Sequence, residues 1–172
     1  MHQQLPRVPA VLDASFWINA VRSGTASYLT GYFSLVAPPG VAAELTALLG
    51  QPEPPEPTIL FGDWQQRGLI QLAAPQRPLE RFDPGENEAI ALALERGWVL
   101  LIDNSAPRDW SRGPLGLRVV DSPAFAVFLY DQGRLDYAEV TAALARSQAA
   151  RRVIREALIL LAELARRKET TR

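Results

Sequence analysis

Six carboxylates in this chain are spaced so that folding could gather them. Three short apolar runs, at residues 8–12, 98–102 and 117–120, each end in an aspartate: Asp13, Asp103 and Asp121. Glu44 lies within a stretch of helix formers, and Glu86 and Glu88 stand near the start of another. A lone aspartate after a strand commonly caps the next helix. Three of them, together with glutamates on helices, read more economically as a cluster. Unpaired carboxylates sharing one cleft repel one another and raise their own pKa values, so such a group is tenable chiefly with a cation. Oxygen-only ligands favour a hard ion, and Mg²⁺ or Mn²⁺ suits them better than zinc. Such an ion activates water and stabilises charge on a phosphodiester, which dispenses with a catalytic histidine.

Other chemistries are excluded by composition. The 172 residues contain no cysteine and one histidine, His2 near the terminus, so disulfides, Cys/His metal clusters and histidine-based triads are ruled out. The sole lysine is Lys168, far from any glycine turn, and no G-x-G-x-x-G or G-x-S-x-G string occurs, so phosphate-binding glycine loops and nucleophile elbows are absent. Carboxylates, hydroxyls and arginines are the tools that remain.

The elements that must position these groups alternate. The three apolar runs read as buried strands, residues 34–37 as a fourth, and residues 69–72 as a short fifth. A helix over 84–96 has clear signals: Asp83 as N-cap, Pro84 in the first turn, Glu86 three residues after the cap, and Gly97 as terminator. Further helices are expected over 15–22, 41–49, 59–66, 122–131, 136–147 and 150–168. This alternation predicts an α/β fold, a three-layer α/β/α sandwich with a central parallel sheet. Residues 51–57, Gln-Pro-Glu-Pro-Pro-Glu-Pro, read as an extended surface linker inside one domain spanning 1–172. The helix over 150–168 carries a broad apolar stripe that packs on the domain, on a second copy or on a partner.

The net charge of −1 hides a split. Residues 146–172 carry eight basic against three acidic side chains, and the rest of the chain ten against sixteen. That asymmetry fits an anionic partner near the tail or a solvated arginine-rich helix face. The start of the chain lacks a signal-peptide pattern and no apolar run is long enough to span a bilayer, so a cytoplasmic protein without membrane attachment is expected.

Four segments, taken in order, carry a resemblance. They are Leu12-Asp13-Ala14-Ser15, then Pro-Pro-Gly-Val-Ala-Ala-Glu-Leu over 38–45, then Gly-Glu-Asn-Glu-Ala-Ile-Ala-Leu-Ala over 85–93, then Leu-Leu-Ile-Asp over 100–103. Together they resemble the PIN-domain proteins, most closely the prokaryotic branch whose third motif reads G-E-x-E-A. The resemblance covers about residues 8–135. It implies a metal-dependent ribonuclease fold acting on single-stranded RNA with Mg²⁺ or Mn²⁺, commonly a homodimer and often the toxin of a toxin–antitoxin pair.

Carried over by position, the resemblance makes Asp13, Glu44, Glu86 and Asp103 the metal-binding and catalytic acids. Glu88 is a further ligand, and Ser15 and Asn104 are supporting side chains. Glu86 and Glu88 are about 200° apart around a helix, so they share one ion only if it sits near the helix start. Glu86 also has a role as the capping-box partner of Asp83. Where many relatives carry a second acid after Asp103, this chain has Asn104, which lowers the charge available to a second ion. Asp121-Ser122 stands where relatives tend to have Gly-Thr. That pair is explained by Ser122-Pro123 opening a helix, so Asp121 falls outside the core set.

Arg108 and Arg112, in the loop or short helix after Asp103, read as a phosphate clamp or as surface charge. The aromatics Phe16, Trp17, Tyr28, Tyr32 and Phe33 read as core or dimer interface. Two other readings stay open beside the ribonuclease. One is a catalytically weak or inactive PIN-like module that binds RNA or a protein partner, and the other is a metal-dependent phosphatase for small substrates.

Overall fold

A computed structural model describes residues 6–170, so His2 lies outside the described residues. Five parallel strands form one sheet in the order β3-β2-β1-β4-β5: β1 Val8–Leu12, β2 Phe33–Ala37, β3 Ile70–Leu72, β4 Val99–Leu101 and β5 Val119–Val120. Successive strand residues point to opposite faces. In β1, Ala10, Val11 and Leu12 are all fully buried, so both faces of the sheet are covered, as expected of an α/β/α sandwich.

The helices that cover it begin where the sequence supplies caps. Helix α1 (Ala14–Ser23) starts at Asp13, whose carboxylate accepts from the Ser15 N–H, and ends at Gly24 with φ of 80°. After a 3₁₀ turn (Ala26–Tyr28) and the short α2 (Leu29–Tyr32), the chain enters β2. Helices α3 (Pro39–Thr46) and α4 (Glu56–Gln66) lead to β3, and α5 (Pro84–Arg96) crosses to β4. Helix α6 (Ser105–Arg112) precedes β5, and α7 (Ser122–Asp131), α8 (Tyr137–Arg146) and α9 (Arg151–Thr170) close the fold.

The main core lies between the sheet and helices α1, α3, α4, α5 and α7, where Trp17 packs edge-on against Phe61 and Trp64. A smaller core joins α7, α8 and α9 through Val127, Val140, Leu144, Ala157 and Leu161. The last helix therefore packs on its own chain, while Leu158, Ile159 and Leu160 remain exposed. No helix among the described residues is long and apolar enough to cross a membrane.

One local expectation changes. The Pro-rich linker stops early: Glu56 opens α4, and Pro57 in its first turn is buried, its carbonyl accepting the Trp17 indole N–H at 2.8 Å. Proline is tolerated there because the first turn needs no N–H from it. Phe16 and Trp17 are fully buried core residues, whereas Tyr28, Tyr32 and Phe33 pack at the margin of the core.

Candidate functional site

The strand order turns at β1, whose following helix leads to β2 while the later crossover brings β4 to its other side. At such a switch point the carboxyl ends of adjacent strands open a crevice. The ends of β1 and β4 are joined there, the Asp13 N–H donating to the Leu101 carbonyl at 2.9 Å. Ser15 reinforces the junction. Its hydroxyl donates to Asp13 Oδ2 at 2.5 Å and accepts from the N–H groups of Asp103 and Asn104 at 3.0 and 3.3 Å.

Beyond these ends lies a polar cleft of about 290 Å³ lined by four acids, Asp13, Glu44, Asp83 and Glu86. They arrive by three routes. Asp13 caps α1, Glu44 comes from α3, and Asp83 and Glu86 form the capping box of α5, with Glu86 Oε2 accepting the Asp83 N–H at 3.3 Å. The other carboxylate oxygen of Glu86 accepts the side-chain amide of Asn104. Glu86 therefore caps its helix and faces the cleft together. Gly85 lets α5 approach Glu44, since a Cβ there would stand 3.2 Å from Glu44 Oε2.

The electrostatics follow from this crowding. Burial pushes the Asp13 carboxyl up to about 7, with the neighbouring charges of Glu86 and Glu44 adding to the rise and the Ser15 hydrogen bonds opposing it. Glu44 is also raised, by burial and by Glu86 and Asp83. Among the described residues no three acids converge closely enough to enclose an ion. An open, oxygen-only set of this kind fits a hydrated hard cation, which keeps several waters and takes only one or two carboxylates.

The remaining expected residues have other surroundings. Asp103 is buried behind the cleft with both oxygens occupied. Oδ1 accepts the Ser122 N–H at 2.6 Å, and Oδ2 accepts the Ser122 hydroxyl at 2.5 Å and the Asn19 amide at 2.7 Å. Burial lifts its carboxyl to about 6 against these hydrogen bonds, and the charge of Asp121 adds to the rise. Glu88 turns to α3, where its carboxylate accepts the Gly40 N–H at 2.6 Å.

Arg108 is 2% exposed and is engaged by Asp121 at 3.0 Å, Asp109 at 2.8 Å and Glu156 at 3.4 Å, so its charge is neutralised within the protein. Arg112 is half-exposed and reaches Asp121 at 3.8 Å and the Val119 carbonyl at 3.4 Å. Asp121 caps α7, accepting the Ala124 N–H at 2.8 Å.

Four further polar residues line the cleft: Asp83, Asn19, Arg22 and Gln148. Asp83 was legible only as a cap. Ser15, Asn19 and Arg22 fall at i, i+4 and i+7, one helix face, and that periodicity is the signal that could have found the latter two. Gln148, from the α8–α9 junction, has no local signal, because its place is set by a contact across 129 residues with Asn19.

No family model and no curated protein matches this chain. Among solved structures it is similar to a PilT N-terminus domain protein from the hyperthermophilic archaeon Sulfolobus solfataricus P2. The identity is 12% and the TM-score 0.37, over 66% of this chain and 87% of that one. The functional reading therefore rests on the cleft and on the motifs of this sequence.

Proposed function

We propose that this chain is a Mg²⁺- or Mn²⁺-dependent nuclease that hydrolyses phosphodiester bonds in single-stranded RNA. The observation that carries the reading is the set of four carboxylates, Asp13, Glu44, Asp83 and Glu86, lining one cleft at the strand switch point, with Asp13 and Glu44 raised in pKa by burial and by their acidic neighbours. Structural carboxylates are ordinarily paired with cations. Asp13 and Glu44 instead are desolvated beside further acids, a cost that a bound cation would relieve. The four-segment resemblance to PIN-domain proteins supports RNA as the substrate, and a homodimer or an antitoxin protein as partner belongs to the same proposal.

Asp13, Glu44 and Glu86 would hold the ion, directly or through water. When bound, it supplies Lewis-acid polarisation of the phosphodiester and a more acidic water for attack. Ser15 holds Asp13 through two hydrogen bonds, and the Asn104 amide fixes Glu86. Asp103 acts as a positioning residue, holding Asn19 and the start of α7. Glu88 contributes through α3, whose first turn carries Gly40 and whose next turn carries Glu44.

A second reading has its own support: Asn104 gives the cleft one acid fewer than the resemblance implies, which fits a module that binds RNA or a protein without cutting. Labelled single-stranded RNA incubated with Mn²⁺, Mg²⁺ or chelator separates the two. Metal-dependent cleavage that disappears in Asp13→Asn and Glu44→Gln, both still folded by circular dichroism, is the expected result. Cleavage that persists in chelator or in both variants would overturn the site, and RNA binding without cleavage would favour the binding module.

A further inference from the structure

We infer that Arg22 is the phosphate contact of this cleft, and that Gln148 holds it there, so that the α8–α9 junction is part of the substrate site. The inference rests on the nuclease reading above. Arg22 is the one basic side chain among the described residues lining the cleft. Four acids share that cleft with it, yet the guanidinium makes no ion pair within 4 Å and instead donates to the neutral side-chain carbonyl of Gln148.

The contrast with other arginines is sharp. Arg108 and Arg152 are spent on carboxylates. Arg22 keeps its charge and most of its five N–H donors for an outside anion, and the planar fork of a guanidinium matches two phosphate oxygens.

Its holder is tied to the strand ends. The Gln148 N–H donates to Asn19 Oδ1 at 3.0 Å, and the Asn19 amide donates to Asp103 Oδ2 at 2.7 Å. Asn19 is 6% exposed and Asp103 3%, so the inner end of this relay is fixed inside the protein, while Gln148 and Arg22 stand at the exposed rim. Asp103, Asn19, Gln148 and Arg22 thus form one chain from the end of β4 to the rim. A cleft of carboxylates alone repels a polyanion. A cation anchored at its edge supplies attraction for a phosphate of the strand without neutralising the acids.

Binding of a short fluorescent oligouridylate in Ca²⁺, with strand integrity checked on a gel, tests this across a salt series. The variants are Arg22→Gln, Arg22→Lys and Gln148→Ala. Arg96→Gln, at the far end of α5, is the control for charge. Arg22→Gln should weaken binding about tenfold or more, the loss of a charge-assisted hydrogen bond. It should also lower the slope of log affinity against log salt by about 0.7, one phosphate contact on a single strand.

Arg22→Lys should keep the slope and lose part of the affinity, and Gln148→Ala should lose affinity with the slope kept. Arg96→Gln should bind like the wild type. Equal binding by Arg22→Gln and Arg96→Gln would overturn the inference while leaving the nuclease reading intact. A wild type that neither binds the oligonucleotide at low salt nor cleaves RNA would overturn both.

Discussion

Replacing Asp13 by asparagine should make the metal-free protein more stable, even though it removes the central acid of the site. Asp13 is 1% exposed, and its carboxyl is carried from 3.8 to about 7, first by burial and then by the charges of Glu86 and Glu44. The folded state therefore holds its proton more tightly than the unfolded chain. Between these two values the folded state binds more protons, so stability falls as pH rises through that window and the full cost stands above it.

A rise from 3.8 to about 7 corresponds to a ceiling of about 4 kcal/mol. Asparagine has no charge to desolvate, and its Oδ1 can still accept the Ser15 N–H and hydroxyl that now bind Asp13 Oδ2. In chelator at pH 8, Asp13→Asn should gain about 2 to 4 kcal/mol over the wild type in urea unfolding. The gap should close towards pH 4, where Asp13 is protonated in the fold. Saturating Mn²⁺ should narrow or reverse the order, since ligand at a hundred times its dissociation constant adds about 2.7 kcal/mol to a protein that binds it. A variant less stable than the wild type at pH 8 in chelator, or a gap indifferent to pH, would refute the reasoning.

Three other substitutions separate roles within the same region. Asn104→Asp would place a carboxylate against Glu86, where an amide now donates to it. It should lower metal-free stability at pH 8 by about 1 kcal/mol and tighten Mn²⁺ binding several-fold in calorimetry, and weaker binding would contradict the proposed cation site. Glu88→Ala removes the acceptor for the Gly40 N–H in the first turn of α3 and should cost about 1 kcal/mol in urea unfolding with Mn²⁺ affinity unchanged; loss of Mn²⁺ binding would return Glu88 to the metal site. Arg108→Met strips the buried partner from Asp121 and should cost about 3 to 5 kcal/mol, read as a lowered melting temperature. A loss under about 1 kcal/mol would show that Asp121 is satisfied without Arg108.

Much of the frame was legible because local and tertiary signals agree. Asp83, Pro84, Glu86 and Gly97 bound α5 where the cap chemistry says they must, and the apolar runs ending in Asp13 and Asp103 are neighbouring strands in the centre of the sheet. The turn at Ala26–Tyr32 was not assigned as helical and α6 was left open between loop and short helix, because both are short and lack an extended apolar periodicity. Glu56 and Pro57 read as linker because proline content masks a helix start, while the Trp17 indole that fixes Pro57 lies 40 residues away.

The site shows the same division. Asp13, Glu44 and Glu86 could be named from motif and position. The surroundings of Asp103, Glu88 and Arg108 depend on Ser122, Gly40 and Asp121, partners that spacing along the chain does not reveal. Arg22 and Asn19 were readable in principle from the face they share with Ser15. Gln148 was not.

The most direct measurement is a Mn²⁺ titration followed by the spectroscopic signal of the free ion, on the wild type beside Asp13→Asn and Glu44→Gln. A saturable site in the wild type, abolished or strongly weakened in both variants, is the result expected if these carboxylates share a cation. Absence of binding, or binding unaltered by either substitution, would contradict the cation site on which the proposed nuclease depends.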